Sequence, residues 1–256
     1  FRFADSVLAN DDRYLALKGL LRLEPPRLKG WMPEQPVVTQ GQDTVQGSLS
    51  AALAMDGTCL YVQGPPGSGK TYTGSRMIAG LLAAGQRVGI MSNSHKAIHH
   101  LLKGVMQVVA ERGLAVSAVT KAARNRPGSE YDGGGGVVNV YDNADVWVSG
   151  AQLVAGTAWL FAHPGGDQAL DVLFVDEAGQ VALANLVAAG TSARNIVLLG
   201  DQMQLSQPVQ GVHPGHSGDS ALDWLLDGAA TIAPERGIFL ATSHRMHPRV
   251  CQFISD

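Results

Sequence analysis

From residue 59 onward the chain alternates short apolar runs with longer stretches of helical spacing. The runs CLYVQ (59–63), RVGIMS (87–92), LVAGT (153–157), DVLFVD (171–176), NIVLLG (195–200) and GIFLAT (237–242) are apolar with little alternation. Such runs read as strands covered on both faces, the habit of a parallel sheet. Between them, TYTGSRMIAGLLAAG and SHKAIHHLLKGVMQVVAERG have helical periodicity and end at glycine. The alternation predicts an α/β fold with a mainly parallel sheet and helices on both faces. Right-handed crossovers then put the functional loops at the carboxyl ends of the strands.

Ahead of this body, DDRYLALKGLLRL (11–23) has helical spacing, and EPPRLKGWMPEQP (24–36) breaks it with four prolines, as an extended connector. Asp43 is placed to cap a helix over QDTVQGSLSAALAM, whose Val45, Leu49, Ala52 and Leu53 would form its apolar stripe. The expected organisation is an N-terminal helix and connector over 1–41 and an α/β body over 42–256. One segment, around 121–152, reads as an insertion on that body. It holds the glycine run Gly133–Gly136, a loop, and VVNVY and DVWVS, which either pair as a hairpin or extend the sheet.

Composition narrows the class. The chain has 256 residues, 45% hydrophobic and 16% charged, with a net charge of −3. That balance argues against nucleic-acid binding by bulk electrostatics. The distribution points the other way. Lys96, Lys103, Arg112, Lys121, Arg124 and Arg126 face one acid, Glu111, within 96–126, so one face or edge is expected to be basic. No apolar run reaches the roughly 18 residues of a membrane helix, so no membrane association is expected. The first residue is Phe1 and no cleavable signal precedes it, so the chain reads as a piece of a longer cytoplasmic protein. Cys59 and Cys251 lie far apart and read as reduced thiols; His95 and His99 lack the companions a zinc site needs.

Three loops carry candidate chemistry. GPPGSGKT (64–71) follows a strand and precedes a helix, the context of a phosphate-binding loop. Gly64, Gly67 and Gly69 let backbone N–H groups turn inward onto phosphate oxygens, beside Pro65, Pro66 and Ser68. Lys70 can reach the β- and γ-phosphates, Thr71 can offer its hydroxyl to Mg²⁺, and Tyr72 completes the nucleotide-binding set. In DVLFVDEAGQ (171–180) a strand delivers Asp176, a Mg²⁺ partner, and Glu177, placed to take a proton from the attacking water. In VLLGDQMQLSQPV (197–209), Gln204 is the candidate sensor of the γ-phosphate.

GPPGSGKT, DEAGQ, GDQMQL and SHRMHP, in this order and spacing, resemble the motifs of superfamily 1 helicases. The likeness is to the branch that holds the nonsense-mediated-decay helicase and the replication helicase–nucleases, and it spans residues 43 to about 255. Three departures stand out: His244 where an aromatic residue is usual, Ser206-Gln207-Pro208 in place of a double proline, and Asp43 where Asn is common. The resemblance implies a RecA-like P-loop NTPase fold, the first of two such domains. It also implies that Gln46 reads the adenine edge and that Arg245 compensates charge on the γ-phosphate. Ser92, Asn93 and Lys96 would contact a nucleic-acid backbone, as would Thr157, without reading bases.

The stretch from LVAGTAWLFA to GDSALDWLL also resembles bacterial proteins in which a RecB-type nuclease is fused to this motor. No nuclease motif lies in the chain, so a nuclease domain would lie outside it. The implied partners are single-stranded nucleic acid, DNA favoured over RNA, and a second RecA-like domain, with movement 5′ to 3′. Without that domain's arginine, the chain alone is expected to bind ATP and Mg²⁺ and to hydrolyse ATP slowly. The alternative is a nucleotide-controlled module that binds nucleic acid or a protein without unwinding.

Overall fold

The computed structural model describes residues 1–32, 34–201 and 215–242. Gln204, His244, Arg245, Cys251 and the Ser206–Pro208 ending lie outside them. The strands are β1 (Cys59–Gln63), β2 (Val88–Met91), β3 (Ala118–Lys121), β4 (Val138–Val140), β5 (Leu153–Gly156), β6 (Leu170–Val175), β7 (Ala193–Gly200) and β8 (Gly237–Phe239). Among the described residues they form one sheet in the order β4-β3-β5-β2-β6-β7-β1-β8, with every pairing parallel. This is the RecA-like P-loop NTPase fold. All strands point one way, so the loops that follow them share a single edge of the sheet.

Alternate residues of each strand serve opposite faces. Leu60, Val62, Ile90, Phe174 and Leu199 meet one layer of helices, α3 (Thr44–Ala54), α4 (Lys70–Ala83) and α5 (His95–Glu111). Tyr61, Met91, Val175 and Leu198 meet the other layer. That layer holds α2 (Leu15–Leu21), α6 (Asn143–Val148), α7 (Ala158–Phe161), α8 (Leu183–Gly190) and α9 (Ala221–Leu226). Helix α1 (Arg2–Ala9) packs Phe3 against this layer, 6.2 Å from the Tyr14 ring, with Arg2 donating to the Ala162 carbonyl at 3.0 Å and pairing with Asp167 at 3.4 Å. Leu17 and Leu20 of α2 are fully buried beneath the sheet, so the N-terminal segment contributes to the same core.

Helix α3 begins as expected, the Asp43 carboxylate accepting from the Gln46 N–H at 2.8 Å. Its buried face keeps Ala52 and Leu49 of the expected stripe and loses Leu53. Gly47, Ser48, Ala51 and Ala52 are buried, while Leu53 is 44% exposed. The reason is a close approach to α4: Leu49 packs over Gly80, where a Cβ would come within 2.4 Å of its methyl. Small residues let the helices approach, with Leu49 of α3 seated on Gly80 of α4.

The segment around 121–152 extends the sheet instead of forming a hairpin. Strand β4 pairs in parallel with β3, and Asn139 bonds both the N–H and the carbonyl of Tyr131, at 2.8 and 2.9 Å. DVWVS is helical, not extended. The Asp142 carboxylate caps α6 through the Ala144 N–H at 2.8 Å, and Val146 and Trp147 are both buried. Two consecutive buried side chains cannot come from a strand with one face covered. No described helix is long and apolar enough to cross a membrane.

Candidate active site

The sheet order brings the ends of β1, β6 and β7 together, and each supplies one wall of a cleft. The register pairs Gln63 with Gly200 and Val175 with Leu198. The loop after β1, the Asp176–Glu177 step after β6 and Asp201 after β7 therefore converge. With the first turns of α4 and the facing side of α5 they enclose a cavity of about 860 Å³.

The loop is shaped by its glycines. Gly67 and Gly69 have φ of +80° and +87°, in the left-handed region that favours glycine, and turn the chain into α4. Gly64 is required for a different reason: a Cβ there would meet the Ser68 hydroxyl at 2.2 Å. The loop wraps on itself, with the Ser68 N–H donating to Pro65 at 3.1 Å and the Thr73 N–H to Gly69 at 2.8 Å. The Ser68 hydroxyl is buried without a hydrogen-bond partner. The Lys70 ammonium lies inside the loop and donates to the carbonyls of Gly64 and, at 3.0 Å, Pro65.

These features fit a nucleotide triphosphate and Mg²⁺. An orphaned hydroxyl, a glycine-lined concavity and a lysine on the inner wall form an anion cradle. The acids opposite supply oxygen donors of the kind Mg²⁺ takes. Thr71, at the start of α4, lines the cavity with Asp176, and these two would hold the metal.

Asp176 is 8% exposed, and burial raises its carboxyl pKa to about 6. The Glu177 N–H donating to Asp176 Oδ1 at 3.0 Å and the Lys70 charge oppose the rise, while the Glu177 charge adds to it. Burial wins, so this carboxylate is kept in the fold at a cost. From an ordinary value near 3.8, the raised pKa means the folded state binds the extra proton between about pH 4 and 6. The fold's stability therefore falls as pH rises through that window. We expect Asp176→Asn to stabilise the nucleotide-free chain by about 2–3 kcal/mol at neutral pH, read as a higher melting temperature. The same variant should lose Mg²⁺-dependent nucleotide binding. A melting temperature equal to wild type would contradict the assigned cost.

Glu177 lines the same cavity, half-buried, and adopts φ +54°. A non-glycine residue in that region is strained by about 1–3 kcal/mol and persists only where its surroundings over-determine it. Here the Gln180 N–H bonds the Glu177 carbonyl at 2.8 Å, and a short 3₁₀ turn follows.

The expected strand-contacting residues divide. Register pairs Met91 with both Val175 and Gly156, so residues 92 and 157 flank the same neighbourhood. Lys96 is exposed on the first turn of α5, and Thr157 is half-buried where α7 begins. Ser92 is fully buried at the end of β2, its hydroxyl 3.5 Å from the Ser94 N–H. Asn93 has a task the sequence reading missed, donating at 2.7 Å to the Gln180 carbonyl. It ties the loop after β2 to the segment bearing Glu177. Gln46 is exposed at the start of α3; its neighbours Thr44 and Val45, with Tyr72 and Phe239, line an adjoining cavity of about 640 Å³. Tyr72 lies between the two cavities under the Arg76 guanidinium, 3.3 Å from its ring centre. Arg76 was legible only as the i+4 neighbour of Tyr72. Asp201 also lines the main cavity, and its place at a strand end was the signal for it.

A family model described as an AAA domain matches residues 42–216. Among solved structures, the arterivirus nonstructural protein 10 helicase in complex with DNA is similar at 18% identity and a TM-score of 0.49, over 84% of this chain and 44% of that one. The Pif1 helicase from Candida albicans is similar at 15% identity and a TM-score of 0.45, over 85% of this chain and 44% of that one. The chain thus spans less than half the length of either. No curated protein matches it.

Proposed function

This chain belongs to the AAA-domain family, and from that premise we propose that it is the ATP-binding motor domain of a superfamily 1 helicase or translocase. It would couple ATP hydrolysis to movement along single-stranded nucleic acid. The observation that carries the reading is the convergence of Lys70, Asp176 and Glu177 on one cavity. Asp176 is kept there despite a burial that pushes its pKa up to about 6. A structural role would be served better by asparagine.

In this reading Lys70 exchanges the Gly64 and Pro65 carbonyls for phosphate oxygens, and Thr71 and Asp176 hold Mg²⁺. Mg²⁺, when bound, supplies neutralisation of charge on the phosphates. Glu177 takes the proton of the water that attacks the γ-phosphorus, and Lys70 stabilises charge passing to the leaving phosphate. The Asn93 bond to Gln180 gives the loop after β2 a mechanical link to Glu177. Occupancy of that loop by a strand would thereby reach the catalytic carboxylate.

The resemblance of GPPGSGKT, DEAGQ, GDQMQL and SHRMHP supports the finer parts of the proposal. These are γ-phosphate contacts by Gln204 and Arg245, adenine reading by Gln46, 5′ to 3′ movement with DNA favoured over RNA, and a second RecA-like domain. A fused nuclease domain rests instead on the likeness of the LVAGTAWLFA to GDSALDWLL stretch.

The test is ATP turnover with and without a single-stranded oligonucleotide. Stimulation by the strand supports a motor; ATP-dependent strand binding with no turnover supports the binding-module alternative. Asn93→Ala is expected to cut the stimulation ratio about 2- to 10-fold, the worth of one hydrogen bond, while strand affinity holds. Loss of affinity with an intact ratio would return Asn93 to a backbone-contacting role.

A further inference from the structure

The ATP cavity occupies one half of the sheet's carboxyl edge. The other half, at the ends of β3, β4 and β5, holds a separate cavity of about 440 Å³ with a different chemistry. Lys121, Arg126, Tyr141, Thr157 and Trp159 line it. Trp159 is 83% exposed.

That exposure is not forced by the helix. Leu160 and Phe161, the next two residues of α7, are fully buried and anchor it, and Trp147 packs on Phe161 with ring centres 6.0 Å apart. A tryptophan usually buries most of its surface, so one left standing beside a cavity has an indole face to offer.

The charges around it are mostly cationic. Lys121 and Arg126 line the cavity, and the Arg124 guanidinium lies 5.5 Å from the Tyr141 ring centre. One acid, Asp142, also lines the cavity, and its carboxylate caps α6 through the Ala144 N–H; Glu130 accepts from the Tyr141 hydroxyl at 2.6 Å. An aromatic face flanked by cations suits an unpaired base with phosphates on either side. A free phosphate would need no indole face, and a duplex keeps its bases stacked away from one.

We propose that this cavity is a base-stacking subsite for single-stranded DNA, in which Trp159 stacks on one base while Lys121 and Arg126 hold the flanking phosphates. This rests on the reading of the chain as a nucleic-acid motor and adds the residue that grips a base, where Thr157 and Lys96 would touch only backbone. The subsite and the ATP cavity lie on either side of β2, whose following loop carries Asn93. A strand bound here would run past the link to Glu177.

The experiment is fluorescence anisotropy of a labelled 12-nucleotide oligothymidylate and of an abasic strand of the same length, with tryptophan emission followed in parallel. Wild type should bind oligothymidylate with quenching of tryptophan emission. Trp159→Ala should weaken that binding roughly 5- to 150-fold and leave the abasic strand's affinity unchanged. Trp159→Phe should restore most of the difference. Replacing Lys121 and Arg126 together by alanine should weaken both strands and lower the slope of log affinity against log salt by about 1.4. Circular dichroism melting of each variant checks the fold. Oligothymidylate affinity in Trp159→Ala within twofold of wild type, while wild type binds the strand, would overturn the subsite alone. Failure of wild type to bind either strand would overturn the motor reading with it.

Discussion

Replacing Lys70 by alanine is expected to lower affinity for Mg²⁺–ATP by at least about 10²-fold and turnover by about 10²- to 10³-fold, the range for losing one preorganised charged donor. The expectation rests on where the ammonium sits. It is held inside the phosphate loop by the carbonyls of Gly64 and Pro65, partners it can exchange for phosphate oxygens without leaving the cavity. Alanine removes those bonds as well, so the nucleotide-free loop should loosen by about 1–3 kcal/mol. A second effect follows through Asp176. The Lys70 charge holds that carboxyl down against burial, so its loss moves the Asp176 pKa further up from about 6. Nucleotide binding that depends on Mg²⁺ should then fail at a higher pH than in wild type. Calorimetric titration of Mg²⁺–ATP between pH 5 and 8 measures both effects. An affinity equal to wild type at pH 8 would refute the site assignment.

The parts of this molecule that announced themselves in sequence are those whose physics is local. Strands β1, β2, β5, β6 and β7 are covered on both faces, so nearly every residue is apolar and the run is visible without any partner. The phosphate loop is local in the same way, since its glycines answer to their own backbone geometry. Strand β3 was not read, because Thr120 and Lys121 interrupt the apolar pattern in a strand near the sheet's edge. Helix α1 left no trace because its anchor, Arg2, reaches carbonyls about 160 positions away. DVWVS imitates a strand by composition, and only the Asp142 cap and the paired burial of Val146 and Trp147 reveal a helix. The same division runs through the site. Lys70, Asp176 and Glu177 follow from spacing; the Asn93 bond to Gln180 and the exposure of Trp159 depend on which strands lie side by side. The burial of Ser92 likewise depends on its tertiary surroundings and is not visible from its residue type.

Glu177→Gln is expected to bind Mg²⁺–ATP at least as tightly as wild type while strand-stimulated turnover falls about 10²- to 10⁴-fold, the share of a general base. Glutamine has the same shape, and the backbone bond from residue 177 to Asp176 Oδ1 survives the change. Only the proton acceptor is lost. The charge of Glu177 helps raise the Asp176 pKa, so its removal lowers that pKa from about 6 and extends Mg²⁺-dependent binding to lower pH. This shift is opposite in sign to that of Lys70→Ala, and the pair of pH profiles separates charge effects from loss of the fold. Strain can be separated too. At φ +54° glycine is at ease, so Glu177→Gly should recover about 1 kcal/mol or more of stability, yet be as slow as the glutamine variant. If Glu177→Gln turns over within tenfold of wild type, another group accepts the proton, and the strained backbone at 177 serves only to shape the loop that Asn93 holds.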